Sequence, residues 1–435
     1  MRVLDLRGQT LTNELVNAEV PRAPLDISGA IQEITPLLAD VKANGEQALL
    51  SVAARFGNSD PKPFRVSGHE LAQALDALKP SLREAIQESI NRVRKVCQAV
   101  IPTETTVELA PGATVRQRWQ PVDSVGLYVP GGKAVYPSSV VMNVVPAQVA
   151  GVPRLAIATP AQAEFGNRPH PVVLATAAML GVTEVYNIGG PAAVAAFAYG
   201  VPEIPLERVA MVTGPGNIYV AAAKRALRGV IGIDSEAGTT EILIVADESA
   251  DGRLIAFDLV SQAEHDEAAA CVLVTASERL VESVLAQIDA VAAETENSAR
   301  VIAALRGIQS ALVLVDSTDA ALEFANCYAT EHLELHTVDP VSDAARVTNA
   351  GALFLGKYSP VSLGDYLAGS NHVLPTGEQA KFGSGLGVHT FLRAQQVIEY
   401  DAQALQAVAE AAREFSNSER LPAHGEAITA RFDDK

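Results

Sequence analysis

Glu331 and His332 stand side by side in the run NCYATEHLELH. A carboxylate and an imidazole within one turn of backbone can pass a proton to and from a substrate near neutral pH, although adjacent acid–base groups also decorate ordinary surfaces. A second pair lies in SQAEHD, where Gln262 and His265 are three residues apart at the end of a predicted helix and so share one face. They can reach one ion or one ligand, or simply cap a polar helix end. The polar segment YSPVSLGDYLAGSNHVLPTG, residues 358–377, carries Asp365 and His372 after the last strand of its series. That is where α/β proteins place ligand-handling groups, and turn formation is the plainer role for Asp365. His424, one of eight histidines, stands in a polar tail with Glu419 five residues before it. Together Gln262, His265, Asp365 and His424 offer nitrogen and oxygen donors that suit Zn²⁺. Their spacing is far wider than a zinc motif, and satisfied core or surface histidines explain them as well.

Three glycine turns, YVPGGKAVYPSS at 128–139, NIGG at 187–190 and TGPGN at 213–217, each follow a β-prone run and precede a helix. Backbone N–H groups and a helix N-terminus at such places receive phosphate or a polar cofactor edge. No G-x-G-x-x-G follows the first strand of either half, and a tight βα turn without a ligand explains any one of the three.

Positioning these groups requires strands alternating with helices. From Val122 short β-prone runs (SVGLYVP, RLAIATP, EVYNIGG, RVAMVTGPGN) alternate with alanine-rich helical ones, and a second such series runs from Glu241 through EILIVAD, ACVLVTAS, ALVLVD, HLELHT and GALFLG. The fold class is α/β, with two β/α domains in tandem. Amphipathic helices are predicted over 29–56 and 70–99. Residues 1–25 read as an arm before the globular body. After about Pro375, FLRAQQVIEYDAQALQAVAEAAREF reads as one long amphipathic helix, followed by a polar tail.

Composition bounds the rest. A chain of 435 residues with 48% hydrophobic content exceeds one compact domain. Lys and Arg total 33 against 51 acidic residues, for a formal charge of −18 without a basic run, which disfavours a nucleic-acid or anionic-membrane partner. Cys97, Cys271 and Cys327 are too few and too scattered for a disulfide framework, and suit a reducing compartment. MRVLDLRGQT lacks the apolar core of a signal peptide, so the expected location is the cytoplasm.

Taken in order, eight pieces of the chain resemble the histidinol dehydrogenase family: GLYVPGG (126–132), YPSSVVMNVVPAQVAGV (136–152), GPGNIYVAAAKR (214–225), GIDSEAG (232–238), SQAEHD, EHLEL (331–335), SPVSLGDYLAGSNHVLPTG (359–377) and ERLPAH (419–424). The resemblance covers nearly the whole chain. It implies a homodimer of two incomplete Rossmann-like domains with small terminal segments, the C-terminal one exchanged between subunits. The expected divisions are an arm over 1–25, a discontinuous catalytic domain of 26–120 and 238–378, a cofactor domain of 121–237, and a tail of 379–435 that reaches the partner.

The same resemblance implies one zinc per active site, bound by Gln262, His265 and Asp365 with His424 of the other subunit, and NAD⁺ as co-substrate. L-histidinol would be oxidised through the aldehyde to L-histidine, the last step of histidine biosynthesis. His332 would take the hydroxyl proton and Glu331 would activate water. Thr240, His372 and Glu419 join the metal ligands and His332 around the substrate, and Tyr128, Ala192 and Asn217 fall at the cofactor contacts. Three positions depart from the family pattern: Ala192 where glutamine is usual, Thr239 and Thr240 in AGTTE where the family has AGPSE, and Thr330 where proline is usual. The alternatives are an NAD-linked zinc dehydrogenase of a related polar alcohol, a zinc hydrolase, or a non-enzymatic dimeric binding protein.

Overall fold

A computed structural model describes residues 1–23, 26–58, 60–131, 135–236 and 238–432. Gly132, Lys133 and Ala134 of the first glycine turn, Ala237 of the 232–238 motif and the last three residues of the tail lie outside the described residues.

In chain order the strands are β1 (Arg2–Asp5), β2 (Thr105–Ala110), β3 (Ala113–Pro121), β4 (Val125–Tyr128), β5 (Leu155–Thr159), β6 (Glu184–Asn187), β7 (Met211–Thr213), β8 (Gly232–Ile233), β9 (Glu241–Ala246), β10 (Ala270–Thr275), β11 (Ala311–Leu314), β12 (His332–His336), β13 (Ala352–Leu355) and β14 (Leu392–Tyr400). They form two parallel sheets, ordered β6-β5-β4-β7-β8 and β1-β11-β10-β9-β12-β13, and a small antiparallel sheet β14-β3-β2. The strands β4, β9, β10 and β11 are buried along their whole length, which is why they read as mainly continuous apolar runs, whereas the equally buried β12, HLELH, alternates.

Helices cover both faces of the first sheet. Pro137–Val149 and Gly190–Tyr199 are apolar on nearly every side, with Ser139 to Ala147 buried in one and Ala192 to Ala198 in the other. A helix apolar all round needs cover on its outer side as well as against the sheet. The early helices supply it: Pro80–Ala99 packs on Pro137–Val149, Gly68–Ala77 on Pro171–Met179, and Ile27–Arg55 on Gly190–Tyr199 and Ile218–Leu227. This corrects the expectation that residues 26–120 join 238–378. Ile86, Ile90 and Val93 share a core with Val140 and Val144, and Ile34, Leu38 and Val41 share one with Val194 and Phe197. Helices of the second series, such as Glu278–Glu294, bury one stripe only and need no second layer.

Two further corrections concern the chain ends. Residues 2–5, expected within an arm, are β1, paired in parallel with β11, and the helix Asn13–Glu19 packs on Thr318–Tyr328 with Val16 fully buried. The four-residue alternation VLDL is too short to announce a strand, and the open edge of β11 decides the matter by hydrogen bonding. Residues 392–400, expected to begin a long helix, are β14, antiparallel to β3 from Leu392↔Pro121 to Tyr400↔Ala113. Asp401 starts the helix Ala402–Ser418 by accepting from Ala404 N at 2.8 Å, so the helical pattern begins ten residues later than its periodicity suggests. Among the described residues no helix is long and apolar enough to cross a membrane. Cys97, Cys271 and Cys327 are free.

Candidate active site

Glu331 and His332 lie at the amino-terminal edge of the second sheet, where His332 opens β12 beside β9. The first N–H of a strand at this edge has no ladder partner and is free to bind a side chain. Glu241, the first residue of β9, uses that freedom. Its N–H donates to Glu331 Oε2 at 2.9 Å, and its carbonyl accepts from His332 Nδ1 at 3.0 Å. A proton on Nδ1 leaves the Nε2 lone pair as the basic site. Burial holds the His332 imidazole below its ordinary range, so it is neutral at pH 7. Burial also pushes the Glu331 carboxyl up to about 8, against the hydrogen bonds from Thr240 and Glu241 that favour the carboxylate.

A pH dependence follows from these directions. A step that needs Glu331 as carboxylate rises about tenfold per pH unit below roughly 8 and levels above it, whereas a step that needs neutral His332 is already flat there. Single-turnover oxidation of alcohol and of aldehyde, measured between pH 6 and 10, should give the two different profiles. Identical profiles would refute the separate assignment.

Thr240 ties this pair to the next group. Its hydroxyl donates to Glu331 Oε2 at 2.6 Å and accepts from Gln262 Nε2. Gln262 sits in the last turn of the helix Gly252–Ala263, is 1% exposed, and its Oε1 has no partner. A buried carbonyl oxygen left unbonded is costly, and a cation is the partner that relieves it. His265 follows that helix, with Nε2 3.8 Å from Asp365 Oδ2. Burial would raise the Asp365 carboxyl, but the neighbouring His265 and the other surrounding imidazoles overcome that and hold it below its usual range. An amide oxygen, an imidazole and a carboxylate converge here, a donor set that fits Zn²⁺. His372 packs against Asp365, donating from Nδ1 to Asp365 O at 3.2 Å while Nε2 stands 3.4 Å from Ser139 Oγ. A cavity of about 490 Å³ opens over Gln262, His265 and Asp365, walled by Tyr136, Ser138 and Arg300.

A second set of donors could hold a metal ion by type and spacing: ligand atoms of Asp258, Glu334 and His336 lie within 4.8 Å of one another. Glu334 and His336 follow His332 on the same face of β12. These groups already have protein partners. Glu334 accepts from Val361 N at 2.8 Å and lies 3.1 Å from His336 Nε2, and burial with the neighbouring Glu334 charge raises Asp258 to about 8. They tie the helix bearing Gln262, the strand bearing His332 and the turn leading to Asp365.

The glycine turns lie at the opposite, carboxyl edge of the first sheet. Gly214 has φ +110°, and a Cβ there would come within 2.1 Å of Tyr128 O, so only glycine fits. A buried Lys224–Asp234 ion pair grips that residue: Lys224 Nζ donates to its carbonyl at 3.0 Å and Asp234 Oδ2 accepts from its N–H at 2.8 Å. Sequence reasoning missed both residues, although a lone lysine in the alanine helix YVAAAKRAL was a signal. Asn217 caps the helix Ile218–Leu227 through Oδ1, which leaves its amide N–H₂ for another partner. The Tyr128 hydroxyl accepts from Gly190 N at 3.0 Å, joining two of the turns. Ala192 is 1% exposed in the helix that begins at Gly190, and its methyl packs in the core.

Glu419 and His424 are elsewhere. Both are exposed on the hairpin formed by Ala402–Ser418 and Pro422–Thr429, and neither lines the cavity. Thr330, where proline was expected, is fully buried with its hydroxyl unbonded. Thr330→Val, which trades that hydroxyl for a methyl, should raise unfolding free energy by about 1 kcal/mol in denaturant titration, and a loss of stability would show the hydroxyl to be bonded.

A buried imidazole and a buried carboxyl at a sheet edge, joined through Thr240 to the Gln262 that lines the cavity, are groups that suit an α/β enzyme. Comparison with known proteins narrows the class: the chain belongs to the histidinol dehydrogenase family, which it matches over residues 20–432. It is 55% identical to a histidinol dehydrogenase from Leifsonia xyli subsp. xyli over 100% of both chains. It is 52% identical to one from Corynebacterium glutamicum, over 100% of this chain and 98% of that one. The crystal structure of a histidinol dehydrogenase from Elizabethkingia anophelis matches with a TM-score of 0.92 at 28% identity, over 99% of this chain and 98% of that one.

Proposed function

We propose that the chain oxidises L-histidinol through L-histidinaldehyde to L-histidine in the cytoplasm, passing two hydrides to two NAD⁺. Family membership makes it an NAD-dependent, metal-binding oxidoreductase of histidine biosynthesis. His332 Nε2 takes the hydroxyl proton as the first hydride leaves the carbinol carbon. Water then adds to the aldehyde, with Glu331 accepting its proton, and the resulting gem-diol gives up the second hydride to become the carboxylate. Zinc, when bound, would supply a Lewis acid that fixes and polarises the substrate without a redox role. Gln262, His265 and Asp365 would hold it together with His424 of the partner subunit, and Thr240, His372 and Glu419 of the partner subunit would complete the substrate site. Tyr128 and Asn217 border the nicotinamide cofactor, and Ala192 lacks the amide that a glutamine would offer. The observation that carries the metal assignment is the unbonded, buried Oε1 of Gln262.

In this reading the two parallel sheets are the two Rossmann-like halves of each subunit, and the exposed hairpin bearing Glu419 and His424 crosses to the other chain of a homodimer. Mixing two inactive variants tests both claims. Asp365→Ala and His424→Ala, each expected to lose zinc and turnover alone, should recover about a quarter of wild-type activity when their subunits exchange, because a mixed dimer then has one unspoiled site. Atomic absorption should find zinc return in proportion. No recovery from verified mixed dimers would place all four ligands in one chain. Two NADH per L-histidine formed from limiting L-histidinol is the stoichiometry that tests the reaction, and a ratio of one with free aldehyde would refute the second oxidation.

A further inference from the structure

Both members of the acid–base pair are held by one residue's main chain, since Glu241 donates to Glu331 and accepts from His332. Whatever fixes Glu241 therefore fixes the pair. Its side chain is 1% exposed at the head of a central strand, and a carboxylate buried so deeply must be matched by charge and hydrogen bonds. Arg22, from the segment that follows the first helix, supplies them. Its Nε donates to Glu241 Oε1 at 2.7 Å and its Nη2 to Oε2 at 3.2 Å, while Gly377 N donates to Oε1 at 2.9 Å.

The same guanidinium reaches the other strand. Nη2 donates to the carbonyl of Tyr328, the last residue of the helix Thr318–Tyr328 and three residues before Glu331. The guanidinium carbon lies 4.0 Å over the Tyr328 ring, and Nη1 donates to Asn17 Oδ1 at 3.0 Å. One planar group thus joins the residue that opens β9 to the helix end that leads into β12. A lysine has one ammonium and cannot make the fork, the carbonyl bond and the stack together.

We infer that Arg22 is a positioning residue for the reaction, setting Glu331 and His332 against each other through Glu241 and Tyr328 without touching the substrate. The inference rests on the roles given to that pair above. It also gives the N-terminal segment a task in catalysis, on the far side of the sheet edge from the cleft.

The test compares Arg22→Met and Arg22→Lys with Glu331→Gln and His332→Ala, each as the full-length, zinc-loaded enzyme. For Arg22→Met, kcat for both oxidations should fall roughly ten- to a hundredfold, with KM for histidinol and zinc content nearly unchanged. Added guanidinium ion should restore part of the rate, and Arg22→Lys should restore folding more than kcat. A folded Arg22→Met enzyme with wild-type kcat overturns the inference, as does a loss that guanidinium leaves untouched and that falls on KM or melting temperature alone. Should Arg22→Met not fold, Arg22→Lys decides: full kcat there refutes the role, and reduced kcat with normal KM supports it. If Glu331→Gln and His332→Ala keep turnover, the assignment of the pair fails instead, so the two failures are distinguishable.

Discussion

Glu331→Gln is expected to stop the reaction at the aldehyde, so that one NADH forms per histidinol instead of two. The glutamine carbonyl can keep the bonds that Thr240 Oγ1 and Glu241 N make to Glu331 Oε2, and the fold around the site should survive. What disappears is the group proposed to accept a proton from water. Losing a positioned general base costs about 10²–10⁴ in rate, and here the loss falls on hydration of the aldehyde alone. In the proposed mechanism the first hydride transfer draws on His332, whose bond to the Glu241 carbonyl the substitution leaves in place. Stopped-flow absorbance with excess NAD⁺ should record a first phase of NADH near wild-type rate and then almost nothing, with aldehyde recoverable by a carbonyl trap. A retained ratio of two at a rate within tenfold of wild type would refute water activation by Glu331.

The candidate residues were legible by type, because side chains able to handle protons and metals announce themselves in the sequence. Gln262, His265 and Asp365 line one cavity, and Thr240 links Gln262 to Glu331 beside His332, a connection that their spacing in the chain does not announce. The supporting groups were not legible. Glu241 acts through its N–H and carbonyl, which every residue possesses, and its importance appears only once β9 and β12 are neighbours. Arg22 is 219 residues from Glu241 and 306 from Tyr328, and no local pattern spans such distances.

The misplaced early helices teach a related lesson. Their amphipathic stripes showed that they pack on something, but the choice of sheet was written in other helices, PSSVVMNVVPAQV and GPAAVAAFAY, which have no polar face to leave in water. Hydrophobicity on every side of a surface-layer helix is a request for a further layer. Residues 392–400 failed for a different reason: RAQQVIEY fits either period, and pairing with β3 settles it. The polar tail, finally, keeps Glu419 and His424 exposed within one chain.

His332→Gln should produce the opposite defect to Glu331→Gln. An amide N–H can replace the imidazole Nδ1–H toward the Glu241 carbonyl, so that carbonyl need not be left unbonded in the core, which would cost about 1–3 kcal/mol. The amide cannot accept a proton near neutral pH. Oxidation of histidinol should then fall about 10²–10⁴-fold, while oxidation of supplied histidinaldehyde, which relies on Glu331 to hydrate it, falls far less. Side by side, the two variants form a crossed test: one spares the alcohol and loses the aldehyde, the other does the reverse. Groups that share a hydrogen-bonding residue, as these share Glu241, can also behave as one unit, and then either substitution would damage both steps alike. That outcome would replace two separate bases by a single coupled one, and the two pH profiles would then have to coincide.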